Sequence, residues 1–354
     1  MTPLMGLLAD RISAAGPITV AEYMTECLLH PEHGYYMKGN PFGVSGDFTT
    51  APEVSQMYGE IIGLALAQAW IDQGRQSPFV LAELGPGRGT CMADILRASR
   101  GVAGFLDAAR VHLIEASESM RGLQSRKLDA KRITWLASVS DLPDAPLFLI
   151  ASEFFDALPI HQFVRTDSGW RERLIGLRDG ALTFGLGETA PAVDLDRRTA
   201  DTRQGDVVEL RPSARTVIAS VTSRLDRYGG AVLVIDYGSW RSLGDTLQAV
   251  KGHRNVDPLA EPGLADLSAH VDFEALADAA ADVIHGPLTQ QGVFLERLGI
   301  TARANRLAGS LCGKALDEHI AAHRRLTHPQ EMGGIFKVLG FTPRDAPRFP
   351  GLDR

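Results

Sequence analysis

The 354-residue chain has ordinary globular proportions, with 45% hydrophobic and 22% charged residues, which exclude a disordered chain and a membrane-embedded body. Its 36 basic and 43 acidic side chains give a formal net charge of −7, so its electrostatic field disfavours nucleic acid as a partner. Three dispersed cysteines predict reduced thiols, and the first residues resemble neither a signal nor a transit peptide. We therefore expect a cytoplasmic protein without stable membrane insertion.

Residues 1–78 are predicted to form an N-terminal helical segment with a long loop in its middle. Apolar residues at helical spacing indicate a helix over 17–30, and the loop over 31–52 contains prolines and glycines in rapid succession. The loop ends at Thr50 and Glu53, which match a capping box and predict the start of the next helix.

Residues 79–354 are predicted to form one α/β domain. Short apolar runs there are separated mostly by helix-length segments, which indicates a parallel sheet covered on both faces. The main predicted strands are FVLAEL (79–84), VHLIE (111–115), ITWLA (133–137), LFLIAS (147–152) and AVLVID (231–236). Turn signals and alternating residues predict an antiparallel β insertion at about 160–190. A second, loop-rich insertion is expected at about 238–271.

The C-terminal part returns to the pattern of the sheet. Its predicted elements are helices at 213–227 and 272–281, a strand at 282–286, helices across 290–323 and a final strand at 335–341.

A glycine-rich turn, Glu83-Leu84-Gly85-Pro86-Gly87-Arg88-Gly89-Thr90, follows the first predicted strand and precedes a helix. Glycine permits positive φ angles and a close approach of ligand to backbone, and the helix N-terminus offers free N–H donors. The turn therefore predicts a nucleotide-like ligand. Thr90 stands where the dinucleotide fingerprint has its last small residue, which disfavours NAD and an oxidoreductase.

Glu115 ends the next predicted strand, where a carboxylate can accept hydrogen bonds from both ribose hydroxyls. It lies 30 positions after Gly85, farther than the usual gap of about 20 residues, and a looped segment between them would accommodate the difference. A strand that simply ends in a solvated glutamate is the alternative interpretation.

Six sequence blocks occur together over nearly the whole chain: GDFTTAPEVSQMYGE (46–60), LAELGPGRGT (81–90), SEFFDALPIHQF (152–163), VIDYG (234–238), DPLAEPGLADLSAHVDF (257–273) and MGGIFKVL (332–339). This combination resembles the MidA-type family of class I S-adenosylmethionine-dependent protein arginine methyltransferases, which are assembly factors of respiratory complex I. The resemblance implies a Rossmann-like, seven-stranded sheet with an antiparallel last strand. It also implies S-adenosyl-L-methionine as the cofactor and an arginine of a core complex I subunit as the substrate, with symmetric dimethylation.

The catalytic residues expected from this resemblance are carboxylates at the sheet rim. Glu153 and Asp156 follow the fourth strand, and Asp236 ends the fifth. A pair of carboxylates can grip a guanidinium bidentately and accept the released proton. The structural alternatives are an ion pair for Glu153 and turn formation for Asp156 and Asp236.

Cofactor contacts are expected at nine positions: Glu83, Gly85, Gly87, Gly89, Glu115, Asp141, Ser152, Asp47 and Thr50. Asp141 would contact adenine. The loop over 31–52 would act as a lid and turn Asp47 and Thr50 toward the cofactor. Thr50 is explained equally well by helix initiation, and Asp141 by a turn. Ser152 departs from the asparagine expected at its position, although a serine can still hydrogen-bond. No metal-ligand spacing is present.

Two other functions remain open from the sequence. One is methylation of a small molecule, and the other is a non-catalytic chaperone for complex I assembly, since a fold alone never proves a function. The sequence also leaves open whether the protein is a monomer or a homodimer.

Overall fold

The apolar runs fold into the central sheet of the computed structural model, which describes residues 2–37, 49–189 and 193–352. The strands are β1 Ile18–Thr19, β2 Phe79–Leu84, β3 Ala109–Ile114, β4 Ile133–Leu136, β5 Leu147–Ser152, β6 His161–Thr166, β7 Gly169–Arg178, β8 Ala181–Thr189, β9 Val207–Leu210, β10 Gly230–Ser239, β11 Gln248–Lys251, β12 Arg254–Val256, β13 Asp266–Ser268, β14 Val271–Asp272, β15 Val283–His285, β16 Thr289–Gln290 and β17 Phe336–Pro343. The helices are α1 Pro3–Ala15, α2 Val20–Leu29, α3 Ala51–Val54, α4 Gln56–Asp72, α5 Thr90–Ala98, α6 Phe105–Ala108, α7 Glu118–Lys127, α8 Pro212–Tyr228, α9 Phe273–Ala279, α10 Gln291–Arg297, α11 Ile300–Ala308, α12 Gly313–Thr327 and α13 Met332–Ile335.

The described residues form two compact units. The smaller unit comprises those within Met1–Phe48, Asp156–Ala214 and Arg241–Val271, and the larger unit comprises those within Thr49–Phe155, Arg215–Trp240 and Asp272–Arg354. This division by packing differs from the division by sequence pattern at residue 78, because α4 packs against α5 in the larger unit.

The larger unit is built on a mixed sheet of strand order β15-β17-β10-β5-β2-β3-β4. Neighbouring strands from β10 to β4 are parallel, whereas β17 is antiparallel to both β10 and β15. The predicted path of seven strands with an antiparallel last strand is therefore confirmed, and the sheet has two further strands of two residues each, β14 and β16, beside this path. The chain runs outward from β2 to β3 and β4 and then returns to β5, so the strand order reverses between β2 and β5. Open α/β sheets bind ligands outside the carboxyl ends of the strands at such a reversal.

The two strands beside the reversal are rigidly packed. Every residue of β2 and β5 is buried, as expected for central strands of a parallel sheet. Within the apolar core of this unit the ring of Phe79 lies between 5.1 and 5.8 Å, centroid to centroid, from the rings of Trp70, Phe105 and Phe148. The segments that follow β2 and β5 are therefore anchored to strands with fixed positions.

The smaller unit contains an antiparallel sheet of order β1-β7-β6-β9, with β8 also paired to β7. Residues 160–190 supply β6, β7 and β8, and the turn between the last two has positive φ angles at Asp179 (+52°) and Gly180 (+78°). This is the conformation that matches the twist of a tight hairpin. The segment 238–271, expected to be loop-rich, also forms the short strands β11, β12 and β13, which pair with one another.

Two helix starts differ from the prediction. Thr50 precedes α3 but its side chain makes no capping bond, so the predicted capping box with Glu53 is wrong. The carboxylate of Glu53 instead bonds to the glycine turn, and α4 begins separately after Ser55, whose Oγ accepts the Met57 N–H at 3.2 Å. Near the N-terminus, β1 precedes α2 inside the predicted helix, and Thr19 caps α2.

Candidate functional site

The turn between β2 and α5 has the backbone that its glycine spacing predicts. Gly85, Gly87 and Gly89 have φ angles of +58°, +50° and +74°, a region that other residues disfavour. A Cβ on Gly85 would lie 2.8 Å from Cδ2 of Phe154, and one on Gly89 would lie 3.2 Å from Cδ1 of Leu128. Glycine is therefore required for this shape, and the turn leads directly into the N-terminus of α5, where the first N–H groups of a helix can bind a ligand.

Glu115 directly follows β3, beside the glycine turn. The N–H of Gly85 donates to the carbonyl of Ile114 at 3.0 Å, which ties the turn to the end of β3. The Glu115 carboxylate accepts the Ser117 N–H at 2.8 Å and a Gln124 side-chain N–H at 3.1 Å. Burial raises the pKa of Glu115, and these hydrogen bonds oppose that rise. Glu115 is thus a half-buried, hydrogen-bonded carboxylate and not a freely solvated one.

Ser152 and Glu153 lie together at the end of β5. The Ser152 hydroxyl shares a buried 2.7 Å hydrogen bond with the hydroxyl of Tyr58. Glu153 has a φ of +53°, a left-handed conformation that costs a glutamate about 1–3 kcal/mol and that clusters at functional sites. Its N–H donates to the carbonyl of Ile235 at 2.9 Å, and its Oε1 accepts the Ala51 N–H at 2.6 Å. The strained backbone therefore has support from two neighbouring elements.

The other two predicted catalytic carboxylates have different surroundings. Asp236 is fully buried, and its oxygens accept the N–H groups of Phe155 and Tyr237, both at 2.9 Å. Asp156 belongs to the smaller unit and is the first residue of its second stretch of chain. Burial raises its pKa to about 6 and the charge of Arg211 opposes the rise. Asp236 and Glu153 lie at the same edge of the sheet, because β10 and β5 are parallel neighbours with Ile235 opposite Ser152. A catalytic role for each of the three stays a prediction.

Three predicted cofactor contacts gain no support from the geometry. The exposed Asp141 carboxylate accepts the Ser138 N–H at 3.2 Å and closes a capping box on a 3₁₀ turn, which is the local role considered as its alternative. Thr50 occupies the N-cap position of α3 without a side-chain bond. Asp47 lies outside the described residues.

Glu83 lies in β2 beneath the glycine turn, with 3% of its surface exposed. Burial raises its pKa to about 8, whereas the Met92 N–H and the Cys91 thiol act in the opposite direction. Its Oε2 is buried and has no hydrogen-bond partner among the described residues. The side chain is therefore protonated near neutral pH and supports the turn from inside the unit.

Glu83 is expected to make the stability of the protein fall as the pH rises from about 4.5 to 8. Across this window the folded state holds a proton that the unfolded state has released, so the free energy of unfolding decreases with pH. Glu83→Gln should remove this slope and raise stability at pH 8 by about 3–5 kcal/mol relative to its effect at pH 4.5. Urea unfolding at pH 4.5, 6 and 8 measures it, with the exposed Glu118→Gln as control. Equal slopes in wild type and Glu83→Gln would contradict the assignment.

Two residues at the turn were not identified as site residues from the sequence. Glu53 on α3 bonds to the hydroxyl of Thr90, and its Oε2 lies 3.5 Å from Nη1 of Arg88. Gln124 on α7 hydrogen-bonds both the turn and Glu115. A sequence signal existed for Gln124, because an amide between Met120 and Leu128 at four-residue spacing interrupts the apolar face of a helix.

A family model described as S-adenosyl-L-methionine-dependent methyltransferase matches residues 61–288, which include the glycine turn, Glu115 and the ends of β5 and β10. The chain belongs to this family. Two relatives named mitochondrial protein arginine methyltransferase NDUFAF7 are similar over nearly the whole chain. The one from Danio rerio is 37% identical over 94% of this chain and 85% of its own length, and the one from Homo sapiens is 34% identical over 97% and 84%.

A solved structure gives an independent comparison. A superfamily member from Burkholderia thailandensis, crystallised with S-adenosyl-homocysteine, superposes with a TM-score of 0.85 and 29% identity, covering 99% of this chain and 94% of the other. The sequence-based prediction of a methyltransferase that uses S-adenosyl-L-methionine is therefore confirmed. The site residues fit this cofactor, because the glycine turn leads into the N-terminus of α5 and the carboxylate of Glu115, at the end of the neighbouring strand, can accept hydrogen bonds from hydroxyl groups.

Proposed function

We propose that this methyltransferase modifies an arginine side chain of a protein, and that Glu153 is its principal catalytic carboxylate. The observation that carries the proposal is the left-handed Glu153, held at the sheet reversal by Ile235 and Ala51. The names of the relatives, which are protein arginine methyltransferases and align with nearly the whole chain, support the choice of substrate.

The chemistry assigns a task to each part of the site. The bound cofactor supplies an electrophilic methyl group on a sulfonium. The glycine turn presents N–H donors to the cofactor's polar end, and Glu115 accepts hydrogen bonds from its ribose. A guanidinium has a pKa above 12 and delocalised charge, so a nitrogen reacts only if it is oriented and relieved of a proton. In this proposal Glu153 accepts a hydrogen bond from the guanidinium and then takes up the proton that the reacting nitrogen releases.

The proposed substrate is a core subunit of respiratory complex I, with symmetric dimethylation of the arginine, as the family resemblance implies. A cytoplasmic location and a homodimer are part of the same proposal. Cys27, Cys91 and Cys312 are free cysteines, which supports a reducing compartment, although the curated relatives are named mitochondrial. Among the described residues no helix is long and apolar enough to cross a membrane.

Calorimetric titration of the wild-type protein with S-adenosyl-homocysteine and, separately, with NAD tests the cofactor. We expect S-adenosyl-homocysteine to bind and NAD not to bind. Incubation with methyl-labelled cofactor and purified complex I subunits, followed by mass spectrometry, then tests the substrate. A labelled arginine would support the proposal. Label found only in small molecules would replace it with the small-molecule alternative, and cofactor binding without any transfer would favour the non-catalytic assembly role.

A further inference from the structure

Gln124 is a buried amide on α7, a helix whose other side chains are mostly exposed or half-buried. Its side chain is fully buried, and Met120 is the other buried residue among those described in α7. An amide at such a position costs stability unless its donors and its acceptor are all paired, and an apolar residue would pack there without this requirement. The hydrogen-bond partners of the amide therefore decide whether its burial is tolerated.

Both polar atoms of the Gln124 amide are paired, and the nitrogen joins two parts of the candidate cofactor site. Nε2 donates to the carbonyl of Gly87 at 2.8 Å and to Oε2 of Glu115 at 3.1 Å. Oε1 accepts the indole N–H of Trp135, on β4, at 2.7 Å. An indole only donates and a carbonyl only accepts, so the orientation of the amide is determined by its neighbours.

These bonds control what the site presents to a ligand. The Ser117 N–H holds Oε1 of Glu115 while Gln124 holds Oε2, so the carboxylate has one orientation and keeps its remaining lone pairs for a ligand. Because a peptide group is planar and trans, the Gly87 carbonyl that points to Gln124 directs the Arg88 N–H the opposite way. The Gln124 side chain thus fixes both the carboxylate of Glu115, which is proposed to bind the ribose, and one peptide group of the glycine turn.

We propose that Gln124 is a positioning residue that makes the site selective for a ribose with both its 2′ and 3′ hydroxyls. It does so by holding the Glu115 carboxylate at a set place relative to the glycine turn. The inference rests on the proposed cofactor role of Glu115 and adds the residue that determines its selectivity.

The test compares the affinities for S-adenosyl-homocysteine and for its 2′-deoxyribose analogue by calorimetry. A hydrogen bond to a charged group gives wild type a preference of about 10- to 100-fold for the ribose form. In Gln124→Leu we expect this preference to fall about tenfold, because S-adenosyl-homocysteine binds more weakly while the analogue is much less affected. The control is Gln68→Leu, which removes an amide of α4 that bonds only to Asp72 among the described residues and should leave the preference unchanged.

A purely structural role for Gln124 would weaken both ligands equally and leave the preference unchanged, and that result overturns the proposal. If Gln124→Leu fails to fold, Trp135→Phe removes the indole N–H that orients the amide and keeps a smaller aromatic ring at the same position. A reduced preference there supports the proposal, and an unchanged preference overturns it.

Failure of the proposed function has a different signature. Suppose that the wild type shows the preference, that Gln124→Leu does not, and that the wild type transfers no methyl group. This result would refute the arginine methylation and leave the positioning role intact. A wild type that does not bind S-adenosyl-homocysteine would overturn both.

Discussion

Gly85→Val is expected to abolish binding of S-adenosyl-homocysteine, with a loss of at least about 100-fold in affinity. Valine is branched at Cβ and disfavours the φ of +58° found here, and its Cβ would lie 2.8 Å from the ring of Phe154. The turn would have to change shape, and its N–H donors would no longer face one ligand. Calorimetry of the folded variant measures the effect.

The matched control is Gly74→Val in the same unit. Gly74 has a φ of +86°, and a Cβ there would meet nothing within 4 Å. This variant experiences comparable backbone strain, of about 1–2 kcal/mol, away from the turn and should bind S-adenosyl-homocysteine like wild type. Binding by Gly85→Val within threefold of wild type would show that the turn does not hold the cofactor.

Glu153→Gln is expected to lower kcat by about 10²- to 10⁴-fold while affinity for S-adenosyl-homocysteine changes little. Glutamine keeps the shape of the side chain and an oxygen that can accept the Ala51 N–H, but it removes the negative charge and the proton acceptor. The substitution leaves the proposed cofactor residues, the glycine turn after β2 and Glu115 after β3, untouched. Single-turnover methyl transfer, together with calorimetry, separates the chemical step from cofactor binding.

The exposed Glu118→Gln serves as control for the loss of one carboxylate and should be indistinguishable from wild type in both assays. If Glu153→Gln retains full turnover, the proton acceptor lies elsewhere, and Asp156 becomes the next residue to replace. If it loses cofactor affinity and turnover in equal measure, Glu153 organises the site through Ala51 and takes no part in the chemistry.

Much of the larger unit was predictable because its signals are local. FVLAEL and LFLIAS are continuous apolar runs, and they form β2 and β5 with the predicted bounds, since central parallel strands are buried on both faces. The glycine turn was predictable for the same reason, because three positive φ angles within five residues require glycine. The short strands β11, β12 and β13 have three or four residues each, too few for alternation to be distinguished from loop.

The details of the site depend on contacts between residues far apart in the sequence. Glu53 matched a capping box, yet its carboxylate bonds to Thr90, 37 positions later in the chain. The strained backbone of Glu153 depends on Ile235 and Ala51, neither of which is near it in sequence. Local pattern shows which residue types are present, whereas only the folded chain determines which partner each polar group finds.

The position of β17 between β10 and β15 has a consequence for synthesis of the protein on the ribosome. β10 and β15 precede β17 in the chain, but they have no partner in common until β17 arrives. During translation the edge of β10 that will receive β17 therefore stays open until residue 341 has left the exit tunnel. A ribosome that stalls before that residue would release a nascent chain in which β10 is paired with β5 on one side only, and its open edge is a natural substrate for chaperones that recognise extended apolar segments.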